Sequence, residues 1–178
     1  MSAVLLSIRP NWCQLIMSGK KTVEVRKTNP NLKVPFKCYI YETKAEFVGS
    51  DGYRQLGRGK IIGEFVCDAI DKFKVFENGS VQYWNAANLE KSCLSYDEIA
   101  EYIGKEKYGY ALRISDLVIY SKSKNLSEFH KPCSDVDYCL NRTFRDTGNS
   151  LDKCFDCDCK IVRPPQSWCY VEELSENV

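Results

Sequence analysis

Apolar positions along this chain come in short runs, most of them with a period of two. Residues 3–8 are almost continuously apolar and predict a first strand. Pro10 suits the first turn of a helix, and Trp12, Leu15 and Ile16 follow at the i, i+3, i+4 spacing of one apolar face. Gly19 is a natural helix stop. Residues 22–27 alternate polar and apolar, which predicts a second strand before the turn Asn29-Pro30-Asn31. Residues 37–43 predict another, with Tyr39 and Tyr41 on one face and Cys38 and Ile40 on the other. Residues 49–59 read as a glycine-containing loop. Residues 60–70 are strongly β, and Asn78-Gly79 marks a hairpin between 73–76 and 81–84. Ser95 and Glu98 make a capping box for a helix over 95–103, which Gly104 ends. Residues 108–114 and 117–120 predict two strands about Ser115-Asp116. The rigid lead-in Arg163-Pro164-Pro165 precedes a closing strand over 168–171. Many short strands with two clear helices predict a mainly β, α+β fold, closed or partly closed as a barrel, and argue against a parallel βαβ sheet.

Length and composition narrow this further. With 178 residues the chain is expected to form one domain, with a cysteine-rich insert over 127–160. The charges nearly cancel, 25 basic against 24 acidic residues, so any nucleic-acid affinity must come from a local patch. No run approaches the ~18 apolar residues of a membrane span. Residues 1–9 carry no basic leader and read as a strand, not a signal peptide. The ten cysteines are therefore expected as reduced thiols in the cytoplasm, with Cys38 and Cys67 serving as small buried hydrophobes.

The chemistry concentrates in Gly19-Lys20-Lys21-Thr22-Val23-Glu24-Val25-Arg26. On a strand, Thr22, Glu24 and Arg26 share one face while Val23 and Val25 turn to a core. Lys21 stands at the mouth of the strand, where its long stem reaches either rim. Glu64, between Gly63 and Phe65, falls on the face of Ile62 and Val66, a costly place for an unpaired charge. Arg26 and Lys21 are its candidate partners. Such a cluster is either a structural ion pair or a cleft whose charges meet a ligand.

Four segments together carry a family resemblance. They are Leu6-Ser7-Ile8-Arg9-Pro10; Ile16, Gly19, Lys21, Glu24 and Arg26; Ile62-Gly63-Glu64-Phe65; and Tyr110, Leu112, Ile114, Ser115 and Asp116. In this the chain resembles the ASCH family of the PUA-like superfamily. The resemblance implies a small β-barrel flanked by helices, with the insert before the last strand, and association with RNA or a modified nucleotide. The cleft it implies is lined by Lys21, Glu24, Arg26 and Glu64, with Ser7, Arg9 and Trp12 near its edge. Arg26 offers a planar fork to phosphate or a base edge, and Trp12, Tyr110 or Trp168 a face for an exposed base. Some ASCH relatives are amidohydrolases of acetylated cytidine and others ribonucleases. The amidohydrolase motif resembles Lys-x-x-Thr-x-Arg with a downstream Glu. Lys21, Arg26 and Glu64 match it, but Glu24 stands where the nucleophilic threonine belongs. A hydrolase reading accordingly rests on Lys21, Glu24 and Glu64 as general acid and base. The lone His130 is a weak catalytic signal.

The insert holds Cys133, Cys139, Cys154, Cys157 and Cys159. Cys154-x-x-Cys157 has zinc-knuckle spacing, Cys159 adds a Cys-x-Cys, and Cys133 and Cys139 complete a candidate four-ligand structural zinc site. The segment is otherwise a surface for a protein partner, the adaptor reading of the chain. The zinc expectation is about one zinc per chain in freshly purified protein, and a content below about 0.2 by metal analysis contradicts it.

Overall fold

The computed structural model describes residues 2–49, 51–82, 87–132 and 159–174. In the main sheet β1 (Ser2–Ile8) runs parallel to β3 (Phe36–Glu42), and the crossover between them holds α1 (Pro10–Met17) and β2 (Val23–Arg26). The glycine-bearing stretch that follows β3 contains a separate hairpin, β4 (Glu46–Val48) with β5 (Arg54–Leu56). Next come β6 (Lys60–Val75), the short β7 (Val81–Gln82), α2 (Ala87–Glu90), α3 (Tyr96–Ile103), β8 (Tyr108–Lys124) and β9 (Trp168–Glu172). The main sheet has the order β2-β8-β6-β3-β1-β9, with β7 on the end of β6. Among the described residues no helix is long and apolar enough to cross a membrane.

The run at 3–8 lacks alternation because β1 is buried on both faces. Val4, Leu6 and Ile8 join one cluster with Cys38, Ile40 and Phe65. Ala3 and Leu5 join a second with Tyr39, Tyr41 and Phe129. β3 feeds the same two clusters from alternate positions, as expected. A third cluster packs Val23, Val25 and Phe73 against Ile99 and Ile103 of α3. The capping box of α3 forms: Glu98 N donates to Ser95 Oγ at 3.2 Å, and Ser95 N donates to the Glu98 carboxylate at 2.8 Å. In α1 the buried face is Pro10, Cys13 and Ile16, while Trp12 and Leu15 flank it half-exposed. Cys13 behaves there as one more small hydrophobe.

The structure corrects three expectations. The two strands about Ser115-Asp116 are one, β8, with Asp116 at a φ of 47°. Between Glu64 and Val66 the partner positions move from Val118 to Ser115, so β8 spends one extra residue in a bulge where a turn was expected. Residues 60–70 and 73–76 likewise merge into β6. Third, no closed barrel forms among the described residues: β2 and β9 are the two edges of an open sheet, with no backbone ladder between them. The sheet nevertheless curls until these edges meet, because side chains span the gap. Trp168 Nε1 donates to Thr28 Oγ1 at 2.8 Å, and the Tyr170 hydroxyl donates to the Pro30 carbonyl. The flanks of the 127–160 segment are also tied in. Phe129 is fully buried, Lys131 N donates to the Cys159 carbonyl at 2.7 Å, and Ile161 N to that of Phe129 at 3.0 Å.

Cys13, Cys38 and Cys67 all sit in the first cluster. Burial pushes the Cys67 thiol up to about 12 and the other two well above the usual thiol range. Unfolded thiols ionise near pH ~8.5. Above that pH the unfolded chain therefore holds fewer protons than the native one, and stability falls as pH rises toward 12. Urea unfolding across this alkaline window should lose up to ~1.4 kcal/mol per pH unit for each thiol. Unchanged stability over the window contradicts the burial of these thiols.

Candidate functional site

Alternation along β2 sends Val23 and Val25 to the third cluster and Glu24 and Arg26 the other way. All four positions are buried, so the two charges need partners. The Glu24 carboxylate is ion-paired with Lys21 Nζ at 3.3 Å and with Arg26 Nη2 at 2.9 Å. Lys21 is only 2% exposed. Its Nζ also donates to the Ser92 carbonyl at 2.7 Å and lies 5.4 Å from the centre of the Trp12 ring. The turn at Gly19 thus delivers the Lys21 ammonium to the Glu24 side of the strand.

Arg26 then reaches across the open seam of the sheet. Nη1 donates to the Ser167 carbonyl at 3.1 Å and hydroxyl at 3.3 Å, and Nη2 donates to the Ser7 carbonyl at 2.8 Å. Its Nε is buried without a hydrogen-bond partner, and so is Thr43 Oγ1; no other side-chain N or O among the described residues is. Both residues line one cleft of about 620 Å³. An unsatisfied buried donor costs about 1–3 kcal/mol.

The charged triad forms the floor of this cleft. Trp12 and Arg9, at the start of α1, stand on one side. α3 supplies the other with Glu98, Glu101 and Tyr102, the face opposite Ile99 and Ile103. Lys27 Nζ lies 5.0 Å from the centre of the Tyr102 ring. Burial pushes the Tyr102 phenol up while the nearby Arg26 guanidinium pulls it down, and the net direction is up. Tyr102 is therefore a neutral donor at ordinary pH. The lining carries Arg9, Lys21, Arg26 and Lys27 against Glu24, Glu98 and Glu101, four positive charges to three negative. The cleft is polar but nearly balanced.

Of the residues singled out from sequence, Ser7, Arg9, Trp12, Lys21, Glu24 and Arg26 come together here. Gln166, at the end of the proline lead-in, joins them at the rim. Tyr110 and Trp168 do not line the cleft. Tyr110 is the register partner of Arg26 on β8 and packs half-buried on the first cluster. Trp168 packs edge-on to Tyr170 at 5.2 Å. Glu64 lies elsewhere, and the expected pairing with Arg26 or Lys21 is not made. Its carboxylate is 2.9 Å from Lys37 Nζ and accepts from the Tyr120 hydroxyl, whose phenol burial and Glu64 push upward. A bulge is the reason. Tyr41 pairs with Ile61 but Ile40 with Gly63, so Ile62 is an extra residue and the alternation slips. Glu64 thereby lands beside Tyr39, its register partner, off the face that Ile62 and Phe65 share.

Sequence reading missed Thr43, Lys27, Glu98, Glu101 and Tyr102. The last three were within reach, since they occupy i, i+3 and i+4 of a helix whose cap was already legible. Cys133, Cys139, Cys154 and Cys157 lie outside the described residues. Cys159 is half-buried beside the bridge from His130 to Lys160. Among the described residues no group of three or more His, Cys, Asp or Glu side chains is arranged to hold a metal.

The family model of the ASCH domain matches residues 6–131. The ASCH protein of Zymomonas mobilis has a similar fold, with a TM-score of 0.57 at 20% identity over 96% of this chain and 88% of that one. A tyrosine-to-phenylalanine mutant of that protein gives 0.56 at 20% identity, covering 96% and 91% of the two chains. A serine-to-alanine mutant gives 0.57 at 19% identity, covering 96% and 89%. No curated protein matches the chain in sequence.

Removing Glu24 leaves two buried cations facing each other. Glu24→Ala is expected to lower stability by about 3–5 kcal/mol in urea unfolding. A loss no larger than that of an exposed substitution contradicts the buried triad.

Proposed function

The chain belongs to the ASCH domain family, and from that premise we propose that it binds RNA or a modified nucleotide in the cleft between α1 and α3. The observation that carries this reading is the pair of buried donors without partners, Arg26 Nε and Thr43 Oγ1, at the wall of that cleft. A base edge or a phosphate oxygen supplies the acceptors they need. The cleft volume is in the range of small-ligand sites. Trp12 presents an aromatic face for a base, and exposed Arg9 and Lys27 a rim for phosphate. Glu24 holds both buried cations in position, so the ligand meets a fixed array and not two mobile side chains. The near-balance of charge favours one nucleotide or a short single strand over a duplex.

A second reading, hydrolysis of the same ligand class, is favoured by two further carboxylates on the wall, Glu98 and Glu101, facing Lys21 and Glu24 across the cleft. In this reading Lys21 and Glu24 remain the catalytic candidates. Glu64, paired with Lys37 and Tyr120, acts on the sheet from its other face.

Both readings are separable with one panel of single-stranded RNAs and nucleosides, acetylcytidine included. Binding measured by fluorescence anisotropy should weaken as salt rises. Arg26→Lys keeps the charge and loses the Nε donor, and it should weaken binding about tenfold or more. No binding to any member at low salt, or unchanged affinity in a folded Arg26→Lys variant, overturns the proposal. Turnover that disappears in Glu101→Gln selects the hydrolase reading, and turnover of no panel member ends it.

A further inference from the structure

A second depression, of about 630 Å³, opens beside the cleft. The two share Ser7, Thr43 and Gln166, so they form one groove with a step at Thr43. Two glycines build that step. A Cβ on Gly57 would overlap the Thr43 carbonyl, so only glycine lets the chain pass there. Gly59, at a φ of 63°, leaves the space that the Lys44 stem fills. Beyond the step, Ile161, Pro164 and Pro165 offer apolar walls and Asn125 and Ser127 polar groups. Lys44 is the one charged residue among the described residues lining this second depression.

The two exits from the cleft therefore differ in sign. Past α3 a strand meets the exposed carboxylates of Glu98 and Glu101 against one lysine, Lys27, beside Tyr102, a net negative charge. Past Thr43 it meets, among the described residues lining the depression, no carboxylate and one lysine. A chain that carries a negative charge on every link leaves by the second route. At the step itself stands Thr43 Oγ1, a hydroxyl with no partner and able to donate to a phosphate oxygen.

We infer that the second depression is a subsite for the neighbouring nucleotide of a single-stranded RNA. Its phosphodiester lies at Thr43 and Lys44, and its ribose or base lies against Pro164 and Pro165. This rests on the nucleotide reading of the cleft and deepens it: the ligand is an oligonucleotide, and its path through the molecule is set by charge.

The test compares a 5′-mononucleotide, a dinucleotide and a hexanucleotide of the same base on the full chain, with Lys44→Glu as the variant. Lys44 is exposed, so the substitution leaves the core untouched. The dinucleotide should bind about tenfold or more tighter than the mononucleotide, and the salt slope should steepen by about 0.7. Lys44→Glu should abolish the gain and leave mononucleotide affinity within about twofold, since it stands outside the cleft. Amide signals of Lys44, Asn125 and Ser127 should shift with the dinucleotide and not with the mononucleotide. Mononucleotide binding with no gain from the second nucleotide overturns the subsite alone. Failure of all three ligands overturns the cleft reading and the subsite with it. A hexaglutamate peptide that moves the same signals with equal affinity also overturns the subsite, because the groove then reads negative charge and not a nucleotide.

Discussion

Glu24 is ion-paired with Lys21 and Arg26 in a largely buried position, and much of the molecule is arranged around that pairing. Two cations and one carboxylate leave a buried excess of one positive charge. Such a charge persists only when its hydrogen-bonding capacity is used. Lys21 spends part of its own on the Ser92 carbonyl, which draws the loop after α2 onto the start of β2. Arg26 spends most of its own on Ser7 and Ser167, which draws the far edge of the sheet onto the near one. The guanidinium takes the place of a row of backbone bonds. Because one planar side chain fills less space than a strand ladder, the seam it closes is not sealed along its length. The cleft is what remains of the gap, and Arg26 lines it with its Nε buried and unpartnered.

Three apolar clusters hold this frame, and elements of the first and third reach the cleft from their other sides. β2 gives valines to the third cluster and Glu24 and Arg26 to the floor. α3 anchors with Ile99 and Ile103 and offers Glu98, Glu101 and Tyr102 from its other side. α1 anchors with Cys13 and Ile16 and leaves Trp12 half-exposed above Lys21. Site residues carried on packed elements in this way are held more firmly than residues on loops. The exception is the Thr43 corner, which two glycines hold by close packing.

What the sequence revealed, and what it hid, follows from range. Strand identity, the α3 cap, the Pro10 helix start and the face of Glu24 and Arg26 are local properties, and residues within four positions decide them. The closing strand over 168–171 was legible for the same reason and pairs with β1 as β9. The bulges were not legible, because a register slip depends on the partner strand. Ile62 is an ordinary apolar residue in a β run, yet as the extra residue it moves Glu64 off the face that simple alternation predicts. The seam was hidden more deeply. It joins residues about 140 positions apart, Arg26 with Ser167 and Thr28 with Trp168. A closing strand over 168–171 reads as part of a barrel until the opposite edge is seen. Thr43 gave no signal, since its significance lies in a glycine fourteen residues later.

The parallel pair of the main sheet also bears on how the chain is made. β1 leaves the ribosome well before β9, yet one of its edges is covered by β9, which pairs Leu6 with Trp168 and Ser2 with Glu172. Until residues 168–172 have been synthesised, that edge is a row of unpaired amides and carbonyls on a strongly apolar strand, the template on which foreign strands add. Its other edge waits for β3, and their pairing cannot form before the α1 and β2 crossover is complete. Synthesis at ~5–20 residues per second keeps the strand exposed for many seconds. The nascent chain thus carries an unpaired apolar strand for a time set by the distance in sequence between β1 and β9 and not by the stability of the finished fold.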